Sequence, residues 1–225
     1  MIEWLSSPLF GVAVSILAYG AGYWLQQKLR SPAANPLLIA IILVIAFLQL
    51  TGIPLESYEA GGGFIEMFLA PATACLALSF YRQLPVLKKN LFPVLFGSAV
   101  GSAVSMGSVA LLCHLFRLDD VMTASLLPKS VTTPIAIGIA EQLGGSTPVT
   151  VAAVILTGIA GAMLCPLFIR WFHIKEPVTA GLAIGVSSHA VGTSRAVQLG
   201  EIEGAMSGLA IGTAGLVTVL FSVFL

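Results

Sequence analysis

Two basic residues, Lys129 and Arg195, lie inside long apolar stretches of the chain, each beside small polar residues. A cation at the centre of a lipid bilayer costs roughly 2.5–3.5 kcal/mol on insertion scales. We expect a bound anion to compensate both charges, because ammonium and guanidinium groups form strong hydrogen bonds to carboxylates. Simpler roles stay open: Lys129 can cap helix carbonyls, and Arg195 can extend to the membrane surface or pair with Glu201 or Glu203.

The first polar stretch predicts an interrupted helix. It reads PKSVTTP over residues 128–134, with apolar residues before and after it. Pro128 and Pro134 exclude one continuous helix, since each proline lacks an N–H group and clashes with the preceding turn. We predict that one helix ends near Lys129 and that the next begins with Thr133 as its N-cap and Pro134 as its first residue. Backbone groups freed at such a break are tolerated in a membrane only where protein or water surrounds them.

The second polar stretch, SSHAVGTSR over residues 187–195, has the same organisation. We predict a break at Gly192, because glycine adopts a positive φ at no steric cost. The following helix would be capped by Thr193 or Ser194. Arg195 would then lie in the first turn, where the helix dipole disfavours a cation unless an anion binds there.

Together the two stretches predict a binding site for a small carboxylate anion. The two cations would attract the anion, and hydroxyl groups of both stretches would donate hydrogen bonds to it. His189 could relay protons, although a hydrogen-bonded structural histidine is the simpler interpretation. The predicted residues in these stretches are Lys129, Ser130, Thr132, Thr133, Ser188, His189, Thr193 and Arg195.

The composition indicates that lipid surrounds most of the chain. Charged residues make up 9% of the 225 residues, and the mean hydropathy is +1.00, whereas about a quarter of a soluble domain is charged. The apolar runs are too long for the strands of a barrel. We predict an all-α polytopic membrane protein with residues 1–225 in a single transmembrane domain. The eight apolar segments lie at roughly 8–26, 36–52, 64–81, 91–116, 121–143, 147–169, 178–199 and 204–225.

Basic residues in the first connections orient the chain, because cytoplasmic loops are enriched in lysine and arginine. Lys28 and Arg30 follow the first segment, and Arg82, Lys88 and Lys89 follow the third. Both connections are therefore predicted to be cytoplasmic, with the N-terminus outside. We expect the protein to cross the inner membrane of a bacterium several times.

The second half of the chain does not continue this pattern. If every later segment crossed once, Arg170 and Lys175 would lie outside, against the same rule. We therefore predict that segment 121–143 is re-entrant or broken and that segment 178–199 is broken, as in transporters built from inverted repeats. The alternative is that two charges, offset by Glu176, are too few to orient these segments.

Other patterns exclude several kinds of function. A formal net charge of zero excludes nucleic-acid binding. No enzyme signature is present, so we predict neither catalysis nor a cofactor. The spacing of Cys75, Cys113 and Cys165 fits neither a zinc site nor paired disulfides, and no metal site is predicted. The Gly61–Gly63 triplet is predicted to form a loop rather than a phosphate-binding turn, because no Lys-Ser/Thr pair follows it.

Small residues recur at about every fourth position of two segments, a pattern that lets helices approach closely in lipid. Packing within one subunit and contact with a second copy of the chain in a homodimer both stay open. The two stripes are Gly97, Gly101 and Ser105, and Gly204, Gly208 and Gly212.

Several motifs give the chain a resemblance to the LrgB/CidB family of membrane proteins along its whole length. Those motifs are PKSVTTPIA at 128–136, SHAVGTSRA at 188–196, NPLL at 35–38, PAT at 71–73 and YR at 81–82. The first of them is the most specific. Relatives commonly have alanine at the position of Ser194, and glycine or glutamine at the position of Ala70. Neither departure removes a charged group.

The resemblance implies two different functions. In one, the protein carries small 2-hydroxy- or 2-oxo-monocarboxylates such as glycolate, glycerate or pyruvate, as the related plastid glycolate/glycerate transporter does. In the other, it acts with a small holin-like partner of the LrgA/CidA type and modulates murein hydrolases and cell lysis. Asn35, Pro71 and Thr73, which lie in the family motifs, would line the same cavity. We predict a secondary carboxylate transporter, with the holin-like modulator as the alternative, because two cations and two helix breaks suit a small anion.

Overall fold

The computed structural model describes residues 7–29, 35–68, 71, 74, 75, 78, 81 and 84–225. Every regular element in these ranges is a helix, as expected when backbone groups must bond internally in lipid. The helices are α1 (Pro8–Leu29), α2 (Pro36–Thr51), α3 (Leu55–Glu66), α4 (Leu84–Lys89), α5 (Leu91–Leu115), α6 (Asp120–Leu126), α7 (Thr133–Gln142), α8 (Thr147–Trp171), α9 (Pro177–Leu199) and α10 (Glu201–Ser222). The chain divides into two compact units, Met1–Cys75 and Leu76–Leu225.

Four of the described helices, α1, α5, α8 and α10, are long and apolar enough to cross a membrane. They coincide with four of the predicted apolar segments. Helix α2 is apolar but has only 16 residues, fewer than the roughly 20 that a perpendicular span needs. Predicted segment 64–81 is described only in part, because residues 69, 70, 72, 73, 76, 77, 79 and 80 lie outside the described residues. The protein is therefore a multi-pass helical membrane protein, and the number of eight segments stays a prediction.

In the first unit, α1 and α3 touch through glycines. A Cβ atom on Gly61 would lie 2.5 Å from the Cα of Gly11, so these backbones approach more closely than a side chain permits. The hydroxyls of Ser15 and Tyr58, 2.8 Å apart, join the same two helices. The prediction of a loop at Gly61–Gly63 is wrong, because the triplet lies inside α3 and its first glycine serves a helix contact rather than a turn.

Asn35 is the N-cap residue of α2 in the same unit. Its Oδ1 accepts hydrogen bonds from the N–H groups of Leu37 at 2.9 Å and Leu38 at 3.3 Å, as an N-cap asparagine does. Pro71 is helical and exposed, whereas Thr73 lies outside the described residues. A role of Asn35, Pro71 and Thr73 in substrate binding stays a prediction.

In the second unit, the first stripe of small residues packs inside the chain. A Cβ atom on Gly97 or Gly101 of α5 would lie 2.5 Å from the side chain of Leu182 or Val186 of α9, respectively. Helix α9 in turn packs closely on α10, where a Cβ atom on Gly185 would meet the backbone of Ser207. Of the two uses left open for this stripe, the structure thus places Gly97 and Gly101 in contacts within one subunit.

Candidate functional site at two helix breaks

The first predicted break is present between α6 and α7. Helix α6 ends at Leu126, and the N–H of Lys129 donates to the Leu126 carbonyl at 3.2 Å in the turn that follows. Thr132 is the extended N-cap residue (φ −65°, ψ 149°), and α7 begins at Thr133. The N-cap is therefore one residue earlier than predicted. Pro134 tolerates this shift, because the N–H groups in the first helical turn have no helical acceptor in any case.

The side chain of Lys129 forms a hydrogen bond to a neighbouring hydroxyl group. Its Nζ donates to Ser130 Oγ at 3.3 Å, and that hydroxyl lies 2.8 Å from the hydroxyl of Ser105 on α5. Ser130 and Thr132 are buried, and Lys129 is half-buried. No ion pair involves Lys129 within the described ranges. The polar contact of its ammonium group is thus with a neutral hydroxyl rather than with a carboxylate.

Helix α9 is interrupted at His189, which has φ 42° and ψ −142° between two helical halves. The break lies three residues earlier than the predicted Gly192, which is buried and has helical backbone angles. The sequence predicted a break at Gly192 because glycine is conformationally free. In the structure Gly192 instead lies within the helix, where the absence of a side chain allows close packing. A Cβ atom there would lie 3.2 Å from Ile184 Cγ2 and would overlap the Cβ of Ser188.

The polar residues after this break are interior residues of a helix rather than caps. Thr193 Oγ1 donates to the His189 carbonyl at 2.9 Å, and Ser194 Oγ donates to the Val191 carbonyl at 2.7 Å. With the break at His189, Arg195 lies beyond the first turn of the second half. The predicted conflict between Arg195 and the helix dipole therefore does not arise, because the dipole acts within that first turn.

The imidazole of His189 is buried against α8. Its Nε2–H donates to the Val154 carbonyl at 3.0 Å. Gly158 provides the space, since a Cβ atom on Gly158 would lie 2.6 Å from the imidazole Cε1 and 2.9 Å from Nε2. His189 is thus buried and hydrogen-bonded to the backbone of α8, and its predicted roles in substrate binding and proton relay stay predictions.

Val154 of α8 contacts both breaks. Its side chain belongs to the same buried apolar cluster as Val131 and Ala136, which flank the start of α7, and its carbonyl accepts the bond from His189. The two polar stretches thus meet on one residue of α8. Nothing in the sequence marks Val154, because its polar contribution is a backbone carbonyl. Ser105 was visible in the sequence only as the last member of a small-residue stripe.

Ser188 faces α8 as well. Its Oγ lies 3.0 Å from the Ser187 hydroxyl and 3.7 Å from the Sγ of Cys165. A Cβ atom on Gly161 would overlap the Ser188 side chain, so the serine fills the space that the glycine leaves. Ser188 is a packing residue in this arrangement, and its role as a ligand for an anion stays a prediction.

Arg195 has a different environment from Lys129. Its Nη1 donates to Gln198 Oε1 at 2.5 Å, and its Nε is buried with no hydrogen-bond partner in the part of the chain that the structure describes. No ion pair with Glu201 or Glu203 occurs in that part. No contact there joins Arg195 to Lys129, so the binding of one anion by both cations stays a prediction.

The polar groups at the breaks are hydroxyls, an ammonium and an imidazole. Within the described residues, no three of His, Cys, Asp and Glu lie together as a metal site requires. Hydroxyl and ammonium groups donate hydrogen bonds, and the start of α7 adds backbone N–H groups without a side-chain cap. A ligand that fits these donors has several acceptor oxygen atoms.

The fold and the breaks define a multi-pass helical membrane protein with interrupted helices in its interior. The family model described as the LrgB-like family matches residues 15–225. The chain therefore belongs to the LrgB family, and the resemblance noted from its motifs is confirmed.

Relatives of the chain match it over nearly its whole length. The antiholin-like protein LrgB of Bacillus subtilis (strain 168) is 37% identical over 220 residues, which are 97% of this chain and 95% of that protein. The antiholin-like protein LrgB of Bacillus mycoides (strain KBAB4) is 37% identical over 215 residues, or 95% of this chain and 94% of that protein. The protein of the same name from Bacillus cereus (strain B4264) has the same identity and coverage. No solved structure matches the chain.

Proposed function

We propose that the chain is an antiholin-like modulator of the bacterial inner membrane, which acts with a small holin-like partner of the LrgA/CidA type to control murein hydrolase activity and cell lysis. The observation that carries this proposal is the 37% identity to an antiholin-like protein over 97% of the chain. The transporter function predicted first from the sequence becomes the second candidate.

The orientation proposed for this modulator places the N-terminus outside. The last turn of α1 carries Lys28, and the last turn of α4 carries Lys88 and Lys89. All three lysines are exposed. Lysines at these positions support a cytoplasmic location for the ends of α1 and α4.

A lysis assay tests the modulator. The chain is expressed, beside a small holin-like partner under separate control, in a bacterium that lacks its own LrgB-family proteins. We expect the chain to delay dye entry and lysis and to lower the murein hydrolase activity in the medium. Lysis curves that are identical with and without the chain, although it is present in the membrane, would contradict the proposal. The Lys129→Gln variant separates this function from the second candidate, because modulation by protein contact does not require that cation.

The second candidate function is transport of a small monocarboxylate, and the surroundings of Lys129 favour it. The ammonium is half-buried beside Ser130 and has no ion pair within the described ranges. The start of α7 lies a few residues away and lacks a side-chain cap, and helix N-termini bind anions through free N–H groups. A carboxylate at this break would accept hydrogen bonds from Lys129, from a hydroxyl and from the start of α7.

Transport would involve movement of one helix group against another around the breaks, with the interrupted segments 121–143 and 178–199 as corresponding parts of an inverted repeat. Thr133 and Thr193, each followed three residues later by an alanine, support such a correspondence. Thr133 is the first residue of α7, and Thr193 is the fourth residue after the break at His189. Alternating access in transporters of this kind is the movement of one repeat against the other around a central site.

Uptake into proteoliposomes tests the second candidate. Labelled glycolate, pyruvate and lactate are supplied outside, and a trapped dye reports leakage. We expect saturable uptake that is lost in Lys129→Gln and kept in Lys88→Gln, whose lysine is exposed at the end of α4. Dye release that is the same in both variants, without saturable uptake, would exclude a carrier and favour the modulator.

A further inference from the structure

His189 has a backbone conformation that its residue type does not favour. Its φ of 42° lies in the region that residues with a Cβ rarely adopt, and its ψ of −142° places it outside the left-handed helical minimum. Such a conformation persists only where the surrounding structure holds it. Two kinds of contact surround the break: Thr193 Oγ1 donates to the His189 carbonyl at 2.9 Å, and the His189 side chain contacts α8.

Two features of α8 hold that side chain. The carbonyl of Val154 accepts the Nε2–H bond at 3.0 Å. Gly158, one turn further along α8, leaves room for the ring, and a Cβ atom at Gly158 would lie 2.6 Å from Cε1. The imidazole is thus held both by a hydrogen bond and by close packing against α8 at Gly158.

The same part of α8 also holds the first break. Val154 forms one buried apolar cluster with Val131, in the turn before α7, and Ala136, in the first turns of α7. A movement of Val154 relative to His189 would therefore shift the start of α7 as well. Both interruptions share this support, although they lie far apart in the sequence.

We propose that His189 is a positioning residue whose imidazole, bonded to Val154 and seated on Gly158, locks both helix breaks to α8 as one unit. We call His189, Val154 and Gly158 the α8 latch. The latch fixes the relation between the breaks whichever of the two candidate functions the chain performs. Loss of these contacts would free the segment before α7 to move. That segment ends at Thr132, which is buried and would then become accessible to solvent.

Thiol labelling at Thr132 tests the latch. The Thr132→Cys substitution is made in a chain whose three native cysteines are replaced by serine, and its labelling by a small methanethiosulfonate reagent is timed in detergent micelles. We expect His189→Leu to raise the labelling rate about tenfold, the size expected when one buried hydrogen bond is lost. His189→Gln, which presents an N–H group at a similar distance from the backbone, should restore a rate close to that of the parent.

Glycine variants complete the test. Gly158→Ala should raise the labelling rate as His189→Leu does, because its methyl group would displace the imidazole. Gly138→Ala on α7 is the matched control, since nothing lies within 4 Å of its Cβ position, and should leave the rate unchanged. Gel filtration of each variant confirms that it is folded. If His189→Leu does not fold, the labelling rate of Gly158→Ala tests the proposal in its place.

Three results would overturn the proposal. The first is a labelling rate that stays at the parent value in folded His189→Leu or Gly158→Ala. The second is a His189→Gln variant as reactive as His189→Leu, since the ring volume rather than the hydrogen bond would then maintain the break. The third is an equal rise in Gly138→Ala, which would show that the turn responds to any change in the second unit.

Discussion

The hydroxyl of Ser130 lies 2.8 Å from the hydroxyl of Ser105, so one hydrogen bond ties the turn of the first break to α5. Lys129 donates to the same Ser130 hydroxyl. The position of the cation at the break therefore depends on a residue of a neighbouring helix. This arrangement leaves the ammonium near the break without an acidic partner in the part of the chain that the structure describes.

Removal of the Ser105 hydroxyl should lower stability slightly. We expect Ser105→Ala to reduce the free energy of unfolding by about 0.6–1 kcal/mol, the usual contribution of one hydrogen bond between membrane helices. Thermal unfolding of both proteins in detergent micelles measures this difference in the free energy of unfolding. Ser108→Ala is the control, because that exposed hydroxyl bonds to the carbonyl of Ser105 within its own helix. Equal stability of the Ser105→Ala variant and the parent would show that the bond contributes nothing.

Alanine substitutions in the glycine triplet separate close packing from helix propensity. Gly61→Ala should destabilise the first unit, because its methyl group would overlap the backbone at Gly11. Gly62→Ala and Gly63→Ala should raise stability by up to about 1 kcal/mol, since alanine forms helices better than glycine and nothing lies within 4 Å of either Cβ position. Melting temperatures of the three variants check this. The same effect at all three positions would contradict the contact between α1 and α3.

Lys129→Met distinguishes a ligand-binding lysine from a structural one. The substitution removes a half-buried cation without an ion pair in the described ranges, so we expect unchanged or higher stability and loss of carboxylate uptake. A loss of more than about 1 kcal/mol in unfolding free energy would instead indicate that Lys129 caps helix carbonyls. Lys88→Met serves as the exposed control.

A ligand-induced thermal shift tests whether Arg195 shares an anion with Lys129. Under the transport function, glycolate or pyruvate should raise the Tm of the unmodified chain, because a ligand at 100 times its Kd stabilises the folded state by about 2.7 kcal/mol. We expect both Lys129→Gln and Arg195→Gln to abolish that rise. A shift that persists in Arg195→Gln alone would place the anion at Lys129 and leave Arg195 with its Gln198 contact.

The sequence predicted the first break well and the second less well, for a physical reason. Pro128 and Pro134 cannot both lie inside one helix, so the interruption between them follows from covalent geometry. Within 187–195 no proline is present, and the only residue of obvious conformational freedom is Gly192. The break occurs instead at His189, because contacts with α8 stabilise a conformation that residue type alone would not predict.

The close contacts of glycines could not be predicted from the sequence either, because they depend on the packing of a second helix. The Gly61–Gly63 triplet predicts a turn when only local propensity is considered, whereas the approach of Gly11 from α1 makes it part of a helix. The amphipathic pattern that locates a core in water is absent here, since lipid-facing and buried residues are both apolar. Four long spans could nevertheless be predicted from hydropathy alone, because length and composition decide that property.

The interruption of α9 at His189 is the structural basis of the candidate site, and a comparison of His189→Gly with His189→Ala tests it most directly. Both variants lose the bond to Val154 but keep the bond from Thr193 Oγ1 to the carbonyl of residue 189, which also holds the break, so their difference reports the backbone conformation alone. At a φ of 42° we expect the glycine variant to have the higher Tm, because glycine adopts positive φ without steric cost. In an unbroken helix alanine would be more stable by about 1 kcal/mol, and a higher Tm for His189→Ala would therefore contradict the break.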